Sequence, residues 1–142
     1  MKSVNEILSR KPATVYSVTR DVSVLDALRI MMEKNISALL VMEDGQLLGI
    51  FTERDYARKI ILQGKSSKDT PIRDVMTENP YTIGPEEAID RCMTLMTNKH
   101  FRHLPVVAGN RVVGMISIGD LVKHIIDDQR QTINMLESYI NS

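Results

Sequence analysis

Gly49-Ile50-Phe51-Thr52-Glu53-Arg54-Asp55 and Gly114-Met115-Ile116-Ser117-Ile118-Gly119-Asp120 stand 65 residues apart and read alike: a glycine, two apolar residues, a hydroxyl, and an aspartate three places on. Working back from them, residues 36–55 fall on 101–120 with four identities, Leu39/Leu104, Val41/Val106, Gly49/Gly114 and Asp55/Asp120. Conservative pairs such as Leu47/Val112, Leu48/Val113 and Thr52/Ser117 fill the gaps. Further upstream, residues 4–9 with Lys11-Pro12 match 72–77 with Asn79-Pro80, now at an offset of 68, so the first copy carries three extra residues near 13–16. Self-similarity of this kind marks a duplicated structural unit.

Each copy has the same local pattern. Val24, Ala27, Leu28, Met31 and Met32 form a helical stripe, as do Ala88, Ile89, Cys92, Met93 and Met96. Ser23 suits the first helix's cap, with Asp26 completing a capping box, and Pro85 suits a first turn in the second copy. Two apolar runs, 38–42 and 46–51, flank Asp44-Gly45; 104–108 and 111–116 flank Gly109-Asn110. Both dipeptides favour positive φ and hence tight hairpins. A second helix follows over 53–62, ended by Gly64, and from 118 onward in the second copy. Short strands over 16–18 and 81–83 precede the first helices. The expected fold class is therefore α+β, two β-α-β-β-α repeats packed as one pseudo-twofold module with a helical extension. The expected boundaries are 1–65, a linker at 66–71, 72–128, and a tail at 129–142. A unit of about 60 residues has a thin core, so the two should bury their sheets against each other and leave a cleft between the halves.

Composition narrows the function classes. The 142 residues carry 18 Lys plus Arg against 18 Asp plus Glu, a formal net charge of zero. Nucleic-acid binding by bulk phosphate neutralisation is not expected. Four Tyr, two Phe and no Trp offer little for a base-stacking platform. One cysteine excludes an internal disulfide and a four-thiolate metal site. The start, Met1-Lys2-Ser3-Val4-Asn5-Glu6, lacks a signal peptide's apolar stretch, and no run approaches the roughly 20 residues of a membrane span. A cytoplasmic protein without membrane association is the expectation.

A hydroxyl at a strand-to-helix junction followed by Asp at the third position has two readings. One is a capping box, in which hydroxyl and carboxylate satisfy backbone N–H groups reciprocally. The other is a ligand site: a helix N-terminus suits phosphate, and a carboxylate can accept both hydrogen bonds of a ribose diol. His100 and His103 lie where a helix gives way to a strand, without a third ligand, so no metal site is read. Cys92 sits in the stripe where the first copy has Ala27 and reads as a buried thiol.

The duplicated unit with Gly-h-h-Thr-x-x-Asp (h being apolar) after its hairpin resembles a tandem pair of cystathionine-β-synthase (CBS) domains over about residues 1–128. Phe101-Arg102-His103-Leu104-Pro105-Val106-Val107 is also similar to the hairpin entry of such domains in IMP dehydrogenase and the AMP-activated kinase γ subunit. With no catalytic domain left over, the chain resembles a stand-alone pair and not an enzyme. The resemblance implies a homodimer, an unidentified regulated protein partner, and no catalytic cofactor. It implies an adenosine-containing ligand, AMP, ADP, ATP or NAD, with S-adenosylmethionine a further class, held between the repeats. By that resemblance Asp55 and Asp120 would hold ribose, and Thr52 and Ser117 ribose or phosphate. Ile36, Ser37, Ala38, Phe101, Arg102, His103, Leu104 and Pro105 would border adenine and phosphate, while Val15, Tyr16, Tyr81 and Thr82 would line the adenine slot.

The copies differ in charge. If the pseudo-twofold brings Arg102 and His103 towards Thr52, Arg54 and Asp55, that cleft suits a phosphate tail. The other pairs Ser117 and Asp120 with Ser37 and Ala38 and has Gly119 where Arg54 stands. One strong and one weak site are expected. The alternative is an adaptor for protein or nucleic acid, without a small ligand, using local basic residues such as Arg54, Arg58, Lys59 and Arg102. In the tail, Val122, Ile126, Ile133, Leu136 and Ile140 follow four-and-three spacing with Gln129 in the gap, an interrupted coiled-coil seam. That face can pack on its own globule or cross to a partner.

Overall fold

The computed structural model describes residues 2–12 and 14–141. Met1, Ser142 and Ala13, the last beside the three-residue insertion of the first copy, lie outside the described residues. The elements are α1 (Val4–Ser9), β1 (Ser17–Val18), α2 (Val24–Lys34), β2 (Ala38–Glu43), β3 (Gln46–Thr52), α3 (Glu53–Tyr56) running on into a π-helical stretch (Ala57–Ile61), a 3-10 turn (Ile72–Asp74), β4 (Thr77–Glu78), α4 (Ile89–Lys99), β5 (His103–Ala108), β6 (Arg111–Ser117) and α5 (Ile118–Asn141).

Both hairpins form as the alternation predicts. Asp44 and Gly45 have φ of 52° and 78°, the double left-handed turn that matches strand twist. In the second hairpin Gly109 takes a positive φ and Asn110 does not. Each hairpin carries a register shift at the same place, Val41/Met42 and Val106/Val107. α2 and α4 both end on a left-handed residue, Asn35 and His100, that would be costly for a branched side chain. The first sheet runs β1-β2-β3-β4; the second is β5-β6. Residues 81–83 do not form the expected strand, because only Ile83 bridges to Val106.

Two local signals read differently in three dimensions. Ser23 accepts the Asp26 N–H at 3.1 Å, but the Asp26 carboxylate turns to Arg29 at 3.2 Å, so the cap is one-sided. α4 starts at Ile89 behind an Ala88 cap, leaving Pro85 in the preceding turn. The linker is tied down: Ser67 and Thr70 carbonyls accept the N–H groups of Leu25 and Val24 at 2.9 Å, satisfying donors that a helix start leaves free.

The repeats exchange their leading segments. Val4 and Ile7 of α1 are buried with Ile83, Ile89, Cys92, Leu104 and Ile116, the second repeat's core. Ile72 and Val75, their counterparts, are buried with Val24, Met31, Leu39, Phe51 and Ile60 of the first. Paired hydrogen bonds seat them: the Ile72 N–H donates to the Val22 carbonyl at 2.8 Å, and the Val4 N–H to that of Glu87 at 3.0 Å. Alternation then sends Leu39, Val41 and Phe51 to the helices, while Ala38, Leu40 and Ile50 face Val112 and Met115 of the other hairpin. That third cluster joins the halves and sets two clefts on either side of it.

Candidate functional site: two unequal clefts

Gly49 and Gly114 let the exchanged segments cross the hairpins. A Cβ on Gly49 would lie 2.8 Å from the Thr77 carbonyl oxygen and 2.7 Å from Met76 Sδ; one on Gly114 would lie 2.6 Å from Leu8 Cδ2. The close approach delivers Thr77 to Asp55 (Oγ1 to Oδ1, 3.1 Å) and Lys11 to Asp120 (Nζ to Oδ2, 2.7 Å).

The repeated hydroxyl-to-aspartate spacing forms a reciprocal cap in both copies. Thr52 Oγ1 accepts the Asp55 N–H at 3.2 Å, and Asp55 Oδ2 accepts the Thr52 N–H at 3.0 Å and the Thr52 hydroxyl at 3.1 Å. Ser117 and Asp120 repeat the two backbone bonds at 3.1 and 2.8 Å. Lys59, one turn on, adds an ion pair to Asp55 Oδ1 at 3.2 Å. Asp55 is buried, with its acceptor positions occupied by these donors. Asp120 is more open, with the Lys11 ammonium and the Ser117 backbone N–H both donating to Oδ2. At the start of α3 the Glu53 N–H donates to the Ser37 carbonyl at 3.2 Å and the Asp55 N–H to Thr52 Oγ1, so these two donors of the helix N-terminus are already satisfied.

The first cleft, about 850 Å³, brings Thr52, Arg54, Asp55, Tyr81, Phe101, Arg102 and His103 together, with Ser37 at its edge. Tyr81 and Phe101 stack with ring centroids 6.1 Å apart. Thr77, Pro80 and Lys99 on its wall had no part in the sequence reading, and Arg58, Lys59 and His100 were noted there without being placed in this cleft. Lys59 had a signal, sitting four residues after Asp55 on a helix; Lys99 had none. Five Lys and Arg side chains thus face two carboxylates, Glu53 and Asp55. Arg54 is braced by the His100 carbonyl.

The second cleft, about 530 Å³, gathers Val15, Tyr16, Ile36, Ser37, Ala38, Ser117, Asp120 and His103. Lys11 and Lys34 also line it, so it does hold cations, but Lys11 is spent on Asp120 and on the Met115 carbonyl at 2.8 Å. Ser37 Oγ and His103 Nε2, 3.0 Å apart, stand in the wall shared by both clefts. Burial holds the His103 imidazole below its ordinary value of 6.5; Lys11 and Arg102 push the same way, and Asp120 opposes. Three expected site residues line neither cleft. Leu104 is fully buried in the second core, Pro105 is buried in the hairpin with its carbonyl on the Ile83 N–H, and Thr82 faces solvent. Cys92 is buried as expected, its thiol pushed up to about 11 chiefly by burial. No helix among the described residues is long and apolar enough to cross a membrane.

A family model described as "CBS domain" matches residues 4–62 and 72–127. The CBS domain-containing protein CBSX3, mitochondrial, of Arabidopsis thaliana is 44% identical over 127 residues, which cover 86% of this chain and 62% of that protein. The chain therefore spans less than two thirds of that relative's length. A solved CBS-domain protein from Burkholderia ambifaria MC40-6 superposes with a TM-score of 0.87 at 48% identity, covering 90% of this chain and 96% of that one. The CBS domain pair of protein MJ0100, solved with 5′-methylthioadenosine and S-adenosyl-L-methionine, gives 0.77 at 27% identity, covering 87% and 99%. Pairs of this domain serve as regulatory modules. With both repeats matched and the fold superposed across their length, the chain belongs to the CBS-domain family as a tandem pair.

Proposed function

We propose that this chain is a regulatory module that binds an adenosine nucleotide, AMP, ADP, ATP or NAD, and passes the resulting change to a protein partner. The observation that carries the reading is the cationic wall of the first cleft, five Lys and Arg against two carboxylates, beside the Tyr81–Phe101 stack. Arg58, Lys99 and Arg102 supply the charge that a phosphate tail requires, and charge-assisted hydrogen bonds to it contribute about 1.5–3 kcal/mol each. Asp55 already holds four hydrogen-bond donors, so a ribose diol there displaces Thr77 or Lys59, which frees a cation for phosphate. Asp120, with Oδ1 open, suits an adenosine ligand of lower charge in the second cleft. The MJ0100 pair, solved with two adenosine derivatives, supports an adenosine-containing ligand class.

The reading includes a homodimer, as the family resemblance implies, whose shape the ligand shifts only by its affinity difference between two conformations. It also includes a cytoplasmic location; cell fractionation checks this, because the Arabidopsis relative bears a mitochondrial name. Arg102 is exposed, so Arg102→Ala removes charge without opening the core. Thermal shift with AMP, ADP, ATP and NAD tests the proposal: ligand raises the melting temperature of the wild type, and Arg102→Ala loses most of that rise while melting unchanged without ligand. Equal shifts in both proteins would remove Arg102 from the nucleotide site, and no shift in either alongside salt-sensitive RNA retardation would replace the reading with the adaptor.

A further inference from the structure

The far half of α5 projects from the fold. Every described residue from Gln129 to Asn141 is exposed, whereas Leu121 and His124 earlier in the same helix are buried. The seam therefore does not fold back on its own globule. Along it Ile133, Leu136 and Ile140 are 53%, 58% and 77% exposed, and Val122 and Ile126 nearer the body are 44% and 43% exposed. At about 100° per residue this stripe lies about 130° round from the Leu121–His124 face that docks on the body, which leaves room beside α5 for a second helix.

The stripe has a heptad identity. Ile126, Ile133 and Ile140 occupy the a positions, and Val122, Gln129 and Leu136 the d positions. β-branched residues at a with Leu at d favour two parallel strands. Gln129 selects the partner: in register it meets its own copy, and two amides can hydrogen-bond to each other. In an antiparallel pair it would oppose Ile140 and lose that bond. The flanking positions of a parallel pair set Arg130 against Ile125 and Glu137 against Thr132, so no like charges face each other. A helix this short is marginal alone in water, but here the docked half supplies the nucleus. The family match ends at residue 127, two residues before the fully exposed part begins, so the seam is a feature added to the shared fold.

We propose that the projecting half of α5 joins two copies of this chain as a parallel two-stranded coiled coil, the interface of the homodimer on which the functional reading rests. Light scattering on the full chain at micromolar concentration should return twice 16.1 kDa. The variant Ile133→Asn/Leu136→Asn should return a folded monomer by circular dichroism, because both side chains are exposed on the single chain, with a melting temperature lowered only by what dimerisation contributes. A wild-type monomer overturns the seam and the homodimer together. A folded double variant that stays dimeric overturns the seam alone and leaves the homodimer standing on another face. Chain direction is read with Leu136→Cys in a Cys92→Ala background, the substitute being the residue at the matching place in the first repeat. Mild oxidation should convert most of it to a linked dimer, and combining it with Ile133→Asn should cut the yield at least tenfold. A dimeric protein that does not cross-link contradicts the parallel seam.

Discussion

Gly49 and Gly114 hold the same place in their repeats but face different neighbours. A Cβ at Gly49 meets the Thr77 backbone, which cannot move without breaking β4 from β3; at Gly114 it meets only the flexible end of Leu8. Gly49→Ala is therefore expected to cost about 1–3 kcal/mol, as overpacking does, and Gly114→Ala clearly less, by urea unfolding of each. His103 carries a pH dependence. Its native value lies below 6.5, so the unfolded chain binds the proton first. This site's stability contribution is complete above the unfolded value and is lost as pH falls through 6.5 towards the lower native value. A phosphate in the first cleft favours the protonated ring, so nucleotide affinity should rise from about pH 7.5 to 5.5 by more in the wild type than in His103→Ala. Calorimetry at several pH values checks this. The duplicated Gly-to-Asp motif made both caps and both hairpins legible, since these depend on neighbours within a few residues. Thr77 on Asp55 and Lys11 on Asp120 were not legible, because they arrive from segments 22 and 109 residues away.

At the scale of elements, the exchange of leading segments decides what the repeat boundaries mean. Periodicity at Val4, Ile7 and Leu8 announces a buried face but says nothing about which core receives it. The receiving core is the second one, so α1 belongs structurally to the repeat that follows it. Ile7→Ala should cost about 2–5 kcal/mol, the usual range for truncating a buried Ile, although it precedes Ile83, the first second-repeat residue of that core, by 76 residues. Chemical denaturation measures it. A fragment starting at residue 72 should fail to fold alone, by circular dichroism and ANS binding, since it lacks Val4 and Ile7; an independently folded fragment would contradict the exchange. The helix over 53–62 was expected to be uniform, yet it passes from α to π after Tyr56. Composition holds no local cue for that change, and its consequence is the placing of Lys59 on both Asp55 and the Val75 carbonyl, at 3.2 and 3.0 Å.

For the whole molecule, a balanced net charge conceals an unequal division. The pseudo-twofold produces two clefts of one design, and substitutions that look minor in the sequence give them opposite characters. Gly119 in place of Arg54 and Lys11 locked on Asp120 leave the second with little free charge, while the first concentrates five cationic side chains. The repeat pointed to Arg54, Arg102 and His103 sharing one cleft, and the fold gathers them there but sets His103 in the wall of both clefts; that Arg58 and Lys99 join them required the fold. The account's central claim is that these clefts bind adenosine nucleotides unequally, with phosphate taken by the first. Isothermal titration of the full chain with ATP tests it most directly. The expected isotherm has one tight site per chain and a distinctly weaker second, with the tight phase lost in Arg102→Ala. Two equal tight sites, or no binding heat at all, would contradict it.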